Sequence, residues 1–129
     1  MDATRLEGVA LFSGLSKKER QQLGQWTEAV SVPAGYELAK QGQFAHEFFV
    51  IEDGAAQVIQ DGELLTELGA GDFFGEIGLL ETQRRTASVV ASTPMDLIVM
   101  FQREFKQMEK DMPLVADRVR SAIRARLHG

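Results

Sequence analysis

The sequence contains no cysteine and only two histidines, His46 and His128. Without thiols there is no disulfide scaffold, thiolate nucleophile, zinc finger or iron–sulfur ligation. Two distant imidazoles are too few for a His-rich metal site, so metal chemistry and Ser-His triads have little to build on. Long apolar runs are missing as well. None approaches the ~20 residues that cross a bilayer, and the opening MDATRLEGVA lacks a basic stretch followed by an apolar one. A cytoplasmic chain with no membrane insertion is therefore expected. There is no repeat, low-complexity tract or linker, and no helix-turn-helix or heptad segment is left over for direct nucleic acid binding.

What is present is an ordinary globular composition: 129 residues, 44% hydrophobic and 26% charged, with a net charge of -5. That length allows one well-packed core, so residues 1–129 are read as a single domain.

Thr4-x-x-Glu7 and Ser16-x-x-Glu19 both match the capping-box pattern and predict two short N-terminal helices. From Glu28 onward, short runs of Val, Ile, Leu and Phe alternate with Gly, Pro and Asp turn signals. Strands are expected over Ala29–Val32, Tyr36–Lys40, Phe48–Glu52, Gln57–Gln60, Glu63–Leu68, Phe73–Phe74, Thr86–Ala91 and Met95–Phe101. This spacing suits an antiparallel β-sandwich or barrel, not a parallel βαβ sheet. Asp61-Gly62 reads as a type I′ hairpin turn. After Phe101 the period becomes helical, with Phe105, Met108 and Met112 on one face. Pro113 cannot continue that helix but can start another, so a bend is expected at Met112-Pro113 and a final helix to about Leu127.

Residues 28 to 81 hold eleven acidic side chains and one base, Lys40, directly before Arg84-Arg85. Within that span lies the glycine-flanked stretch Gly71-Asp72-Phe73-Phe74-Gly75-Glu76-Ile77-Gly78-Leu79-Leu80. Gly75 lets backbone approach a ligand closely, and a helical turn over Glu76–Leu79 would aim free N–H groups at a phosphate. Arg85 on the next strand can bring a planar fork of donors to the same phosphate, and Thr86 adds a hydroxyl. Glu76 would repel phosphate, so a ribose 2′-hydroxyl is its more natural partner.

Phe74-Gly75-Glu76-Ile77-Gly78-Leu79-Leu80 followed by Arg85-Thr86-Ala87-Ser88-Val89 resembles the phosphate-binding cassette of the cyclic nucleotide-binding domain family. That family includes sensor domains of the catabolite activator protein, of kinase regulatory subunits and of cyclic-nucleotide-gated channels. Leu11-Phe12-x-Gly14-Leu15-Ser16, Val32-Pro33-Ala34-Gly35, Gln41-Gly42 and Gly69-x-Gly71-Asp72 resemble other parts of the same pattern. The resemblance implies a mainly β fold with flanking helices: an antiparallel β-roll or jelly-roll core, two short N-terminal helices, a short phosphate-binding helical turn and two C-terminal helices. It also implies a regulatory module, not an enzyme, that needs no cofactor or metal and takes cAMP or cGMP as ligand.

By the same resemblance, Gly75, Glu76, Ile77, Gly78 and Leu79 would bind the cyclic phosphate through backbone amides, with Arg85 neutralising it. Glu76 would hold the ribose, and Thr86 would touch phosphate or a guanine amino group. Val58, Thr66, Leu68 and Gly78 would face the base. The final helix would be the lid, through Val115, Arg118, Val119, Arg120 and Ile123, and its movement would signal to a homodimer mate, an effector protein or an attached domain.

Blander readings accompany these. A Gly-x-x-Gly alone is usually turn chemistry, Arg84 a solvated strand end, and His46 a surface loop residue. By composition the Val115-Val119-Ile123 stripe suits core or dimer packing. Two rival functions remain open: a degenerate interaction domain of the same fold that binds no nucleotide, and a cupin-like metalloenzyme, for which the histidines are too few.

Overall fold

The computed structural model describes residues 2–44, 46–75 and 84–128. Helix α1 (Thr4–Glu7), a 3-10 turn (Ala10–Phe12) and α2 (Lys17–Gly24) lead into eight strands. These are β1 (Glu28–Val32), β2 (Glu37–Ala39), β3 (Glu47–Asp53), β4 (Ala56–Gln60), β5 (Glu63–Leu68), β6 (Phe73–Phe74), β7 (Ser88–Ala91) and β8 (Met95–Phe101). Two helices close the chain, α3 (Gln102–Asp111) and α4 (Pro113–His128).

The strands form two antiparallel four-stranded sheets, ordered β1-β8-β3-β6 and β2-β7-β4-β5. The antiparallel roll with flanking helices expected from sequence is the observed fold. Side chains alternate across each strand, and this alternation makes two cores from one central sheet. Phe49 and Ile51 of β3, with Leu97 and Val99 of β8, point between the sheets and meet Leu38, Ala56, Val89 and Ala91. Their neighbours Phe48, Val50, Ile98 and Met100 point the other way, into a helical layer holding Leu6, Phe12, Leu23, Phe105 and Met108. Covered on both faces, β3 and β8 carry continuous apolar runs in place of a polar alternation. β5, at the far edge, is largely exposed.

Local chemistry explains most boundaries. Ser16 caps α2 as expected: its Oγ accepts the Glu19 N–H at 3.1 Å, and Glu19 Oε1 accepts the Ser16 N–H at 2.8 Å. The box expected at Thr4-x-x-Glu7 does not form. Thr4 is itself the first helical residue, and its N–H is taken by Asp2 Oδ1 at 2.9 Å, a carboxylate with a shorter reach to that donor. The Asp61-Gly62 turn has φ of 53° and 81°, the pair of left-handed conformations that a type I′ hairpin requires. Met112 leaves helical geometry, with φ -139° and ψ 64°, and Pro113 begins the next helix. The bend is where proline chemistry put it.

β2 begins one residue later than expected, at Glu37, and β7 two residues later. Thr86 and Ala87 form a bend, and β7 starts at Ser88. The residues before it bond elsewhere: Gly42 N–H donates to Arg85 O at 2.9 Å and Arg85 N–H to Gln43 O at 2.7 Å. Arg85 is thereby paired with the 41–44 turn.

Candidate functional site

β3 and β6 pair through Phe49–Phe74 and Val50–Phe73, and their rings stack at 4.7 Å for Phe49 with Phe74. This pairing carries Gly75 to the start of β3, beside Glu47. Gly75 has φ 83°, and a Cβ there would run into the Glu47 carbonyl and stand 2.6 Å from Arg85 Nη1. The position is closed to any side chain, first by the Glu47 carbonyl and the positive φ and then by the guanidinium beside them.

Arg85 is half-buried, and its Nη2 donates to Glu47 O at 3.0 Å. A guanidinium is a rigid planar fork, so the bond to the Glu47 carbonyl helps to fix its plane. The fork lines a cavity of about 110 Å³ shared with β2, Lys40, Gln43 and Glu47. Of the expected phosphate-site residues, then, the fold brings Gly75 and Arg85 into direct proximity. Glu76, Ile77, Gly78 and Leu79 lie outside the described residues. Thr86 follows Arg85 at an exposed bend.

Strand register brings together three of the residues expected to face the base. Val58 on β4 pairs with Thr66 on β5 and with Val89 on β7, and Leu68 pairs with Ala56. Paired residues in antiparallel strands share a face, so Val58, Thr66 and Leu68 line one side of their sheet. Val58 and Leu68 pack against the inter-sheet core, whereas Thr66 is exposed.

The residues expected to form the lid lie on α4. Val115, Val119 and Ile123 are buried in the helical cluster with Leu11, Phe12 and Leu15, apart from the inter-sheet core that Val58 and Leu68 join. Arg118 Nε lies 2.9 Å from Glu19 Oε2 on α2. Arg120 meets Asp117 at 2.6 Å, pairs with Glu109 on α3, and its guanidinium carbon is 5.5 Å from the Phe105 ring centre. In this arrangement the apolar stripe is core, as its composition alone suggests.

Sequence reasoning overlooked two partners of Arg85: the Glu47 carbonyl and the 42–43 backbone. Backbone carbonyls carry no sequence signal, and the Gln41-Gly42 turn was legible only as a turn. Arg84 is exposed as expected, yet it is engaged: Nη1 donates to Gly42 O at 2.7 Å, and its guanidinium stacks on Phe44. His46 is an exposed loop residue, as expected.

A sequence model described as "Cyclic nucleotide-binding domain" matches residues 29–111. The cAMP-dependent protein kinase regulatory subunit of Schizosaccharomyces pombe is 32% identical over 123 residues, covering 95% of this chain and 29% of that protein. The chain thus spans less than a third of this curated relative. Among solved structures, the N-terminal domain of a transcriptional regulator from Streptomyces coelicolor A3(2) superposes with a TM-score of 0.81 at 23% identity. That match covers 99% of this chain and 94% of the other. Thermus thermophilus catabolite activator protein gives a TM-score of 0.76 at 27% identity, covering 92% of this chain and 58% of that one.

Proposed function

The chain belongs to the cyclic nucleotide-binding domain family, whose members are regulatory and not catalytic, and from that premise we propose that it is a sensor for cAMP or cGMP. The observation that carries the reading is the Arg85 guanidinium, held half-buried by the Glu47 carbonyl against a glycine whose missing side chain makes room for it. A partly desolvated fork of donors held in place in this way is suited to an anion such as a phosphate.

In this reading Arg85 neutralises the cyclic phosphate, and the amides of Gly75, Glu76, Ile77, Gly78 and Leu79 receive its oxygens. Glu76 accepts the ribose 2′-hydroxyl. Thr86, exposed beside Arg85, is available to phosphate or to a guanine amino group. Val58, Thr66 and Leu68 offer the base an apolar sheet face with one hydroxyl. That the S. pombe relative is a cAMP-dependent protein kinase regulatory subunit supports cAMP as the first ligand to try. The same cassette serves cGMP, so the choice rests on titration.

The output is proposed to be α4. Met112, non-helical between α3 and α4, is a hinge of the kind that absorbs a change in direction. Ligand that favours a second position of α4 would shift the population toward it and alter what a homodimer mate, effector or attached domain meets. The test is a thermal-shift screen with cAMP, cGMP and the linear 5′-monophosphates. Selective stabilisation by a cyclic nucleotide is expected, following mass action. A flat response to all four would sink the reading in favour of a nucleotide-free interaction domain.

A further inference from the structure

We propose that Arg84 and Phe44 are positioning residues for Arg85: their stacked pair clamps the 41–44 turn, and that turn fixes where the neighbouring guanidinium points. The inference rests on the nucleotide reading of the site. It starts from a departure from expectation, because an arginine at a solvated strand end has no reason to keep one rotamer. Arg84 has two reasons. Its guanidinium carbon lies 4.4 Å from the centre of the Phe44 ring, and Nη1 donates to Gly42 O at 2.7 Å.

The two residues also face each other across an isolated antiparallel bridge. Immediately beside it, both backbone groups of Arg85 end on the same turn, its N–H on Gln43 O at 2.7 Å and its O on the Gly42 N–H at 2.9 Å. Both of these backbone hydrogen bonds of Arg85 therefore run to residues 42 and 43.

The other end of the turn is anchored independently. Gln41 Nε2 donates to Asp61 Oδ1 at 2.8 Å, and its Oε1 accepts the Asp61 N–H at 2.9 Å. Its own N–H donates to Ser88 Oγ at 2.9 Å. The turn is thus tied to the β4–β5 hairpin at Gln41 and closed by Arg84 and Phe44 at its far end. Phe44 is 52% exposed, so burial does not explain the ring, whereas stacking does. Without the clamp, residues 42–44 could swing about Gln41 and carry the Arg85 backbone with them. The long Arg85 side chain would then leave the Glu47 carbonyl and lose its aim.

The experiment titrates wild type, Arg84→Ala, Phe44→Ala and Arg84→Lys with cAMP and with the two diastereomers of its cyclic phosphorothioate. These diastereomers differ only in which exocyclic oxygen is sulfur, so the ratio of their affinities reports where a guanidinium points. Arg84→Ala and Phe44→Ala are each expected to weaken cAMP binding about tenfold and to narrow the diastereomer ratio. Arg84→Lys, which keeps the charge and a donor for Gly42 O, should recover part of both. Unchanged affinity in the alanine variants, or an equal loss for both diastereomers, overturns the proposal. A second measurement needs no nucleotide: the Arg85 and Gly42 amides should exchange about tenfold faster in Arg84→Ala than in wild type, as expected when a turn loses its closing contact. If wild type binds no nucleotide, the reading of the site fails while these amides still decide the clamp, and unchanged exchange overturns it.

Discussion

Glu19 on α2 holds Arg118 on α4 with the same carboxylate that closes the Ser16 capping box, Oε2 to the arginine at 2.9 Å and Oε1 to the Ser16 N–H at 2.8 Å. One side chain therefore starts a helix and tethers the last one. The backbone bond from Ser16, with help from Arg118, holds the Glu19 carboxyl below its ordinary value of 4.5, against the opposing effect of burial.

A pH dependence follows. A carboxyl whose folded pKa is depressed adds stability that is fully present above its unfolded value and is lost as pH falls through the folded one. The start of α2 and its contact with α4 should therefore loosen as the solution is acidified below 4.5. Protection factors of the Glu19 amide and of its α4 neighbours, which divide out the acid slowing of intrinsic exchange, should fall over that range in wild type, and in Glu19→Gln they should be already lowered and flat. A wild-type profile that is flat below 4.5 would contradict the coupling.

Arg85→Ala should weaken nucleotide binding by one to two decades, the worth of charge-assisted hydrogen bonds at ~1.5–3 kcal/mol each. Arg85→Glu should abolish binding while circular dichroism and a cooperative melt stay native. Calorimetry showing unchanged affinity in either variant would remove Arg85 from the site.

Gly75→Ala tests the cradle from its other side. The new methyl would occupy space held by the Glu47 carbonyl and Arg85, at a φ of 83° that side chains rarely adopt. A destabilisation of about 1–3 kcal/mol is expected from backbone strain, read as a lower melting temperature, together with weaker nucleotide binding. Wild-type stability and affinity would show that the close approach does not matter.

The absence of cysteine makes α4 easy to follow with spin labels. Cysteines introduced at the exposed positions Gln21 on α2 and Arg124 on α4 should give one distance distribution alone and a shifted one with saturating cyclic nucleotide. Equal distributions would rule out movement of α4 relative to α2 as the signal.

Wherever one residue type has one physical use, the sequence was readable. Pro113 could only end one helix and start another, Asp61-Gly62 could only turn tightly, and Ser16 with Glu19 had every capping group at the right spacing. Thr4 misled because its box was complete in letters, while Asp2 stood closer to the donor. Thr86 and Ala87 misled because their apolar neighbours read as strand, whereas the two form a bend and the chain enters the ladder only at Ser88. The stripe on α4 was legible as apolar but silent on which of two partners it covers.

Local chemistry thus determined the element types, the antiparallel class and the two residues, Gly75 and Arg85, around which an anion site could form. Periodicity, turn residues and charge act over a few positions, and those can be counted along a chain. Only the folded molecule decided that the guanidinium of Arg85 ends on the Glu47 carbonyl, that Arg84 and Phe44 close the turn beneath it, and that α4 lies against the N-terminal helices. Those outcomes depend on backbone carbonyls and on packing between segments distant in sequence, where many pairings satisfy the same letters and shape selects one.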